Sequence, residues 1–493
     1  MIRFRHLSVF LALCGAVLAA AQAPDTRVVD PLVGTWSGTV TAPQGEKAAI
    51  GFEFYPGPGE ALGFRIHFPA MSLHAADLGV PVGRPEAGEY TLAAPLDIRL
   101  RRAGDHLTGT FGADRLPVTL ARGGALPDRP APPSHAPAPA PVWKHALGAG
   151  TWAPPVADGD MVFVGTSDGR FHAVRAADGS SAWVWPGVIP IDGRAAVDAA
   201  AVYFVDTRYN LVALDRRNGA FLWRTPLHNE FLAGHSAPEN PTFNHRAATP
   251  LVHEGVVYTG SSDGGVYAVN PATGAVLWRH EAGAAVFSGI GLRDADTLLF
   301  GTMDGSVVAL DRRTRQEILR VKTGGGVVTT PVVAGNRLIA GSRDFNLHGF
   351  TLPAGDTAWK FSCWFSWIES TPVYRDGVLY FGSSDYARVT ALDPTTGRAR
   401  WGAVVHGMTW GTPLVTTRHV FAGTVNQNLP GTLIDHAAGL VKLDRATGAV
   451  IWRLAVPKAE NGRFAGYAGG PVLAGNLVIA AGFDGWLVAF PAD

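Results

Sequence analysis

An internal repeat covers most of this chain and limits the folds it can adopt more than any other feature. A glycine is followed four residues later by a tryptophan six times, and most copies lie 40–42 residues apart. One degenerate copy carries Arg315 and Leu319 in these two positions. The intact copies end at Trp183, Trp223, Trp278, Trp359, Trp401 and Trp452. Such a period indicates an array of small units that pack against their neighbours.

Each unit has the pattern of four short β-strands. Side chains alternate in Val256-Val257-Tyr258-Thr259 and again in Val266-Tyr267-Ala268-Val269, as is typical of half-buried strands. Turns such as Ser262-Asp263-Gly264 separate the strands, because glycine tolerates positive φ and aspartate caps the turn backbone. One such unit cannot bury both of its faces. We therefore predict that the units pack radially as blades of a β-propeller, with each tryptophan between neighbouring blades.

The two ends of the array determine the number of blades. The chain ends in Trp486-Leu487-Val488-Ala489-Phe490, which has the pattern of a third strand with no fourth strand after it. At the other end, Val142-Trp143-Lys144 matches the outer-strand sequence Leu277-Trp278-Arg279. We predict that the strand around Trp143 completes the last blade. The result is an all-β ring of eight blades, closed by an N-terminal strand.

The repeat resembles that of a known family. Ala391-Leu392-Asp393, followed by Gly397 and Trp401, resembles the quinoprotein (PQQ-like) propeller repeat, and the resemblance extends over residues 142–493. It implies a PQQ-like β-propeller. That repeat occurs in PQQ-dependent alcohol and glucose dehydrogenases. It also occurs in cofactor-free propellers, including the lipoprotein of the outer-membrane β-barrel assembly machine, so the resemblance leaves the function open.

Residues 30–124 form a separate unit. Alternating runs such as Ile50-Gly51-Phe52-Glu53-Phe54 are divided by turn clusters such as Pro56-Gly57-Pro58-Gly59, which predicts a small antiparallel β-barrel or sandwich. The runs at 33–39 and 107–111 resemble a small lipocalin-like accessory β-domain. A proline-rich segment at residues 125–141 then predicts an extended, semi-rigid linker to the propeller.

The first 23 residues have the pattern of a signal peptide. Arg3 and Arg5 precede an apolar stretch, and Ala21-Gln22-Ala23 supplies small residues for cleavage after Ala23. We therefore predict a periplasmic or secreted protein. No later stretch is long and apolar enough to predict a transmembrane segment.

Charge and cysteine content exclude several classes of protein. The 41 basic and 41 acidic residues give a formal net charge of zero, so the chain lacks the basic character that nucleic-acid binding needs. A lipid anchor at Cys14 is disfavoured, because Leu13 precedes it where a small residue is usual. After cleavage Cys363 is the remaining cysteine, which excludes an intramolecular disulfide. We expect its thiol to be buried and inert.

Long insertions fall on one face of the predicted propeller. They lie in loops that lead into first strands or join second to third strands, at residues 225–246, 364–369, 426–439 and 455–467. Long loops on one rim make that rim the candidate functional face. Residues three or four positions before the repeat proline should line the central channel there. They include Trp152, Asp192, Arg246, Phe287, Glu369, Trp410 and Tyr467.

Two interpretations of this ring remain open. In one, it holds a planar anionic ligand, with binding residues Trp152, Arg246, Trp367, Trp410 and Tyr467. In the other, the aromatic side chains fill the channel and Arg246 pairs with an acidic residue. The insertion at 226–246 also contains His228, His235 and His245, whose spacing matches no zinc pattern. We therefore predict no metal site.

Two functions compete. The preferred hypothesis is a non-catalytic binding or scaffold protein of the cell envelope, a monomer that uses no cofactor and binds a protein or glycan on the long-loop rim. The alternative, implied by the resemblance, is a PQQ- and Ca²⁺-dependent dehydrogenase that oxidises an alcohol or sugar. It would use Trp367 or Trp410 for stacking and Glu369 as ligand or base. Short blades and the lack of a vicinal cysteine pair favour binding.

Overall fold

The computed structural model describes residues 30–57, 61–71, 73–77, 82–86, 88–92, 97–112, 115–127, 135–227, 248–364, 366–427, 437–457 and 464–493. The chain divides into two compact units between Pro132 and Pro133. Across these ranges no helix has the length and apolar character needed to cross a membrane. The predicted signal peptide at residues 1–23 lies outside them.

The first unit is one antiparallel sheet of nine strands, in the order β4-β3-β2-β1-β9-β8-β7-β6-β5. Its strands are β1 (Gly34–Thr41), β2 (Lys47–Pro56), β3 (Leu62–Phe68), β4 (Leu73–Asp77), β5 (Val82–Glu86), β6 (Glu89–Leu92), β7 (Ile98–Ala103), β8 (His106–Phe111) and β9 (Leu116–Arg122), with a 3-10 helix at Pro69–Met71. Buried and partly exposed residues alternate strictly along β3. The predicted small antiparallel β-domain is confirmed, and it takes the form of a half-barrel.

The described part of the second unit contains eight sheets arranged as the blades of a propeller. Seven blades are built on four consecutive antiparallel strands, and the eighth combines three consecutive strands with one from the beginning of the array. Blade 1 comprises β12 (Val156–Asp158), β13 (Met161–Gly165), β14 (Phe171–Arg175) and β15 (Ser181–Trp185), and blade 2 comprises β16 (Ala196–Val197), β17 (Ala201–Val205), β18 (Asn210–Asp215) and β19 (Phe221–Pro226). Blade 3 comprises β20 (Leu251–His253), β21 (Val256–Gly260), β22 (Gly265–Val269) and β23 (Val276–Glu281), and blade 4 comprises β24 (Gly291–Asp294), β25 (Thr297–Gly301), β26 (Ser306–Asp311) and β27 (Glu317–Lys322).

Blade 5 comprises β28 (Val332–Ala334), β29 (Arg337–Gly341), β30 (Asn346–Thr351) and β31 (Thr357–Ser362). Blade 6 comprises β32 (Val373–Arg375), β33 (Val378–Gly382), β34 (Arg388–Leu392) and β35 (Ala399–Val404). Blade 7 comprises β36 (Leu414–Val415), β37 (His419–Gln427), β38 (Ala438–Asp444) and β39 (Val450–Val456). Blade 8 has β41 (Val472–Ala474), β42 (Leu477–Ala481), β43 (Trp486–Pro491) and, as outer strand, β11 (Trp143–Ala146). Two short strands, β10 (Ala136–Pro137) and β40 (Phe464–Gly466), pair with blade 7.

The ring closes as the sequence predicted. Strand β11 pairs antiparallel with β43, with Trp143 opposite Ala489. The last blade therefore combines three C-terminal strands with one strand from the beginning of the array, and the prediction of eight blades closed by an N-terminal strand is confirmed.

Five of the repeat tryptophans lie against the repeat glycine of the following blade. Gly397 has a φ of +70°, and a Cβ placed on it would lie 2.6 Å from the ring of Trp359. The indole Nε1 of Trp359 donates to the carbonyl oxygen of Pro394 at 2.9 Å. The same arrangement joins Trp143 to Gly179, Trp183 to Gly219, Trp223 to Gly274 and Trp401 to Gly448.

The end of the proline-rich segment pairs with a blade. Strand β10 runs parallel to β39, with Ala136 opposite Trp452 and Pro137 opposite Arg453. The N–H of Ala138 donates to the carbonyl oxygen of Arg453 at 3.0 Å, and Ala138 packs against the core between blades 7 and 8. Blade 7 thus gains a fifth strand from within residues 125–141, the range predicted as a linker.

Candidate functional site

Two successive positions before each first strand have different environments. Three residues before the repeat proline lie Trp152, Glu369 and Trp410, together with Asp192, Phe287, Val328 and Ala468 at the equivalent positions of other blades. Trp152 of blade 1 and Trp410 of blade 7 stack with their ring centroids 5.7 Å apart, although blade 8 lies between their blades. Such contact across a blade is possible only near the central axis, so these side chains converge on the channel.

One residue earlier, the side chain enters the core between blades. A Cβ on Gly341 would press against Ile368, and one on Gly423 would lie 3.0 Å from the Cβ of Tyr467. Tyr467 is 2% exposed and packs with the core between blades 7 and 8, and this burial raises the pKa of its phenol. The structure therefore places Tyr467 away from the other predicted ring residues, since consecutive residues of extended chain face opposite sides.

An aromatic cluster occupies one side of the channel on the long-loop face. It consists of Trp152, Trp410, Phe464 and Phe483, with the Phe464 ring 4.8 Å and the Phe483 ring 4.7 Å from that of Trp152. Trp410 is 6% exposed, and its indole Nε1 donates to the hydroxyl of Ser384 at 2.9 Å. These rings contact one another and form a packed apolar group.

A charged group lies beside this cluster. The guanidinium of Arg343 donates from Nε to Oε1 of Glu369 at 2.8 Å and lies 4.7 Å from the ring centroid of Trp367. Both charged side chains are largely buried, at 12% and 6% exposure. Burial raises the pKa of Asp385, and the nearby Glu369 adds to this shift. Arg343, Trp367 and Glu369 thus form a buried, mutually paired group.

Blade 2, which follows the blade of Trp152 along the chain, contributes Asp192 and Arg194. Asp192 is 6% exposed, burial raises its pKa to about 7, and its Oδ1 has no hydrogen-bond partner among the residues that the structure describes. Arg194 remains exposed to solvent, yet surrounding protein lowers its pKa by desolvation. Burial is the cause of both pKa shifts, and no ion pair joins the two side chains among the described residues.

Several candidates from the sequence fall elsewhere. Arg246 and the histidines of the 226–246 insertion lie outside the described residues. Cys363 is fully buried and forms no disulfide within the described residues. Asp263 accepts a hydrogen bond from the backbone N–H of Gly265 at 2.8 Å, which confirms its predicted role in the turn. Within the described ranges no group of three metal-ligating side chains converges.

Arg343, Ser384 and Phe483 also lie at the channel and were not predicted from the sequence. All three lie between second and third strands, in the variable position of the Gly-Ser-x-Asp-Gly motif, where other blades carry Ser167, Ser262 and Met303. Departures from the repeat at that position were the available signal for Arg343 and Phe483, whereas Ser384 matches the serine of other blades and gave no signal. The adjacent Phe345 replaces the motif glycine and adopts a φ of +72°, which marks the same loop as unusual.

The channel residues that the structure describes do not fit a PQQ–calcium centre. A planar quinone needs an accessible aromatic face, and Ca²⁺ needs several available oxygen ligands. Trp410 is buried against Trp152, the Arg343 guanidinium covers Trp367, and Glu369 is already paired with Arg343.

A family profile described as "Outer membrane protein assembly factor BamB", of the PQQ-like repeat type, matches residues 136–269, 262–429 and 354–493. The chain belongs to this family. BamB of Burkholderia pseudomallei is 24% identical over 379 residues, which are 71% of this chain and 87% of that protein. Quinohemoprotein alcohol dehydrogenase ADH IIB of Pseudomonas putida is 32% identical over 136 residues, covering 23% of this chain and 20% of the enzyme.

Solved structures of the family show the same fold. BamB from Moraxella catarrhalis superposes with a TM-score of 0.54 at 19% identity, over 71% of this chain and 96% of that one. Quinohemoprotein alcohol dehydrogenase from Comamonas testosteroni superposes with a TM-score of 0.52 at 15% identity, over 72% and 76% of the two chains. At these identities the likeness shows the propeller and leaves its function open.

Proposed function

We propose that this chain is a non-catalytic scaffold protein of the cell envelope, and that its partner is a protein that adds an extended strand to the outer edges of blades 2 to 4. The relatives named as outer membrane assembly factors support an envelope role, because one of them matches over most of its length. The matches to quinoprotein dehydrogenases cover smaller parts of those enzymes.

The observation that carries the proposal is the apolar character of these outer strands. Just before the repeat tryptophan, Phe221 and Leu222 of β19 are 51% and 45% exposed, and Val276 and Leu277 of β23 are 45% and 48% exposed. Ile318 in β27 is 47% exposed. These residues lie on three successive blades, whose fourth strands have no further strand beside them in the described residues. Unpaired edges with apolar side chains are a template for strand addition.

Blade 7 provides an internal comparison. Its outer strand β39 also carries an apolar pair, Val450 and Ile451, before the tryptophan, and there β10 occupies the edge. Blades 5 and 6 have Thr357-Ala358 and Ala399-Arg400 at the same positions, and their edges carry no added strand in the described residues. Among the described residues an apolar pair therefore accompanies the occupied edge, and the pairs on blades 2 and 3, together with Ile318 on blade 4, support the proposal that those edges bind a partner strand.

The test is photocrosslinking of the full chain in its native host. A benzophenone amino acid at position 221 or 276 should capture a discrete protein, whereas the matched position 358 on blade 5 should not. All three positions lie on outer strands, so the substitutions perturb folding little. Equal capture from all three positions, or from none, would contradict the proposal.

A second experiment tests catalysis directly. We expect no saturable change in absorbance when purified protein is titrated with PQQ and Ca²⁺, and no dye reduction with a panel of alcohols and sugars. Saturable binding that is lost in Trp410→Ala or Glu369→Ala, together with dye reduction, would establish the dehydrogenase alternative. The predicted glycan or protein site on the long-loop rim stays a prediction, since its longest insertions lie outside the described residues.

A further inference from the structure

The central channel holds a cavity of about 350 Å³ that no part of the proposed scaffold function uses. It lies among the first strands of blades 6, 7, 8 and 1 and the segment that leads into blade 2. Its volume is at the lower end of the range for small-molecule sites. Lining residues include Pro154, Arg194, Val373, Thr412, Leu414 and Leu473.

Arg194 is the single charged residue in this lining, and the rest of the wall is mostly proline, valine and leucine. Among the described residues the guanidinium has no ion pair or hydrogen bond, and burial alone accounts for the pKa shifts of both Arg194 and the nearby Asp192, so the carboxyl group does not neutralise it. An arginine in an apolar recess loses part of its hydration without gaining a counter-charge. A bound anion would restore both the hydrogen bonds and the charge balance.

We propose that this cavity binds a small organic carboxylate with an apolar body, held by an ion pair to Arg194. The fork of guanidinium N–H donors matches the two oxygens of a carboxylate, and the proline and valine wall accepts the apolar part. The carboxylate could belong to a free acid or to the end of a peptide chain, and both present the same chemistry to Arg194. This inference is independent of the strand-addition surface on blades 2 to 4.

Calorimetric titration of the full chain with octanoate tests the proposal, and a short peptide ending in leucine serves as a second probe. We expect saturable binding of at least one probe and an affinity at least about tenfold lower in Arg194→Met. Arg208→Met is the matched control: it removes an exposed arginine from blade 2 and should leave the affinity unchanged. Octanol, or the peptide with an amidated end, should bind at least about tenfold more weakly than the acid.

Two further measurements define the class of ligand. Binding should weaken as pH falls through the carboxyl pKa of the probe, roughly 4–5, because arginine stays charged while the probe becomes neutral. Acetate should bind more weakly than octanoate, because it leaves the apolar wall uncovered. Equal affinity in Arg194→Met, equal affinity for octanol, equal affinity for acetate, or no binding of either probe would each overturn the proposal.

Discussion

A single side chain joins two blades at each repeat tryptophan. The ring of Trp359 covers Gly397 of the next blade. Its Nε1 donates a hydrogen bond to the backbone carbonyl oxygen of the residue three positions before that glycine. The degenerate copy shows what the motif provides. There Leu319 lies against Gly355 and has no N–H to donate, so the contact keeps its apolar part and loses its hydrogen bond.

The glycine in this contact should be required for space as well as for conformation. Gly397→Ala should lower the free energy of unfolding by about 2–4 kcal/mol, from the positive φ and the clash with Trp359 together. Gly377→Ala is the control, since Gly377 has a φ of +76° but nothing within 4 Å of its added Cβ. Urea denaturation would measure both. Equal losses would mean that the tryptophan contact contributes nothing.

The pair of Arg343 and Glu369 should matter for stability because it is buried. Arg343→Met should destabilise the protein by about 3 kcal/mol, since it leaves the Glu369 carboxylate buried without its cation. Arg418→Met removes the partner of Asp493 in an exposed pair and should cost less than about 0.5 kcal/mol. Thermal unfolding of both variants beside the parent checks this. A small effect at Arg343 would show that other groups compensate Glu369.

At the scale of single strands, the ring is closed by β11, which lies beside an unusual histidine. His172 of β14 is 3% exposed, and its ring centroid lies 5.9 Å from that of His145 in β11. Burial, followed by the effect of His145, lowers the pKa of His172 to about 4. The contact between blades 1 and 8 therefore contains an imidazole that folds in its neutral form.

This histidine predicts a loss of stability in acid. The unfolded chain takes up a proton near pH 6.5 and the folded chain near pH 4, so stability falls as pH is lowered between these values. The expected loss is roughly 2–3 kcal/mol. His172→Leu should flatten this part of a stability–pH curve, whereas exposed His106→Gln should leave it intact. An unchanged slope in His172→Leu would show that other groups cause the acid sensitivity.

At the scale of the whole molecule, the ring depends on one strand from outside the C-terminal array. A chain that begins at residue 148 lacks β11, which exposes the edge of β43 and removes Trp143 from Gly179. It should unfold at a clearly lower temperature than a chain that begins at residue 133. Adding a peptide of residues 133–147 should restore part of the difference. Equal melting temperatures would mean that ring closure adds no stability.

The sequence by itself determined the repeat, the number of blades and the closing strand. Tryptophan, glycine and turn motifs recur at a period set by local chemistry, and one four-stranded unit has few ways to bury its faces. The half-barrel domain was predictable as a small β-domain for the same reason. Its closure was not, because barrel, sandwich and open sheet share the same alternation of apolar and polar residues.

Only the tertiary structure decided which channel residues meet. Trp152 and Trp410 are far apart in the chain and contact across a blade, and Arg343 reaches Glu369 from a neighbouring blade. Tyr467 lies outside the ring because it is one residue earlier in the extended segment than the residues that face the channel, and its side chain therefore points to the other face. The sequence shows what each blade repeats. The interactions at the centre involve positions at which the blades carry different residues. Those residues contact one another only when the ring closes.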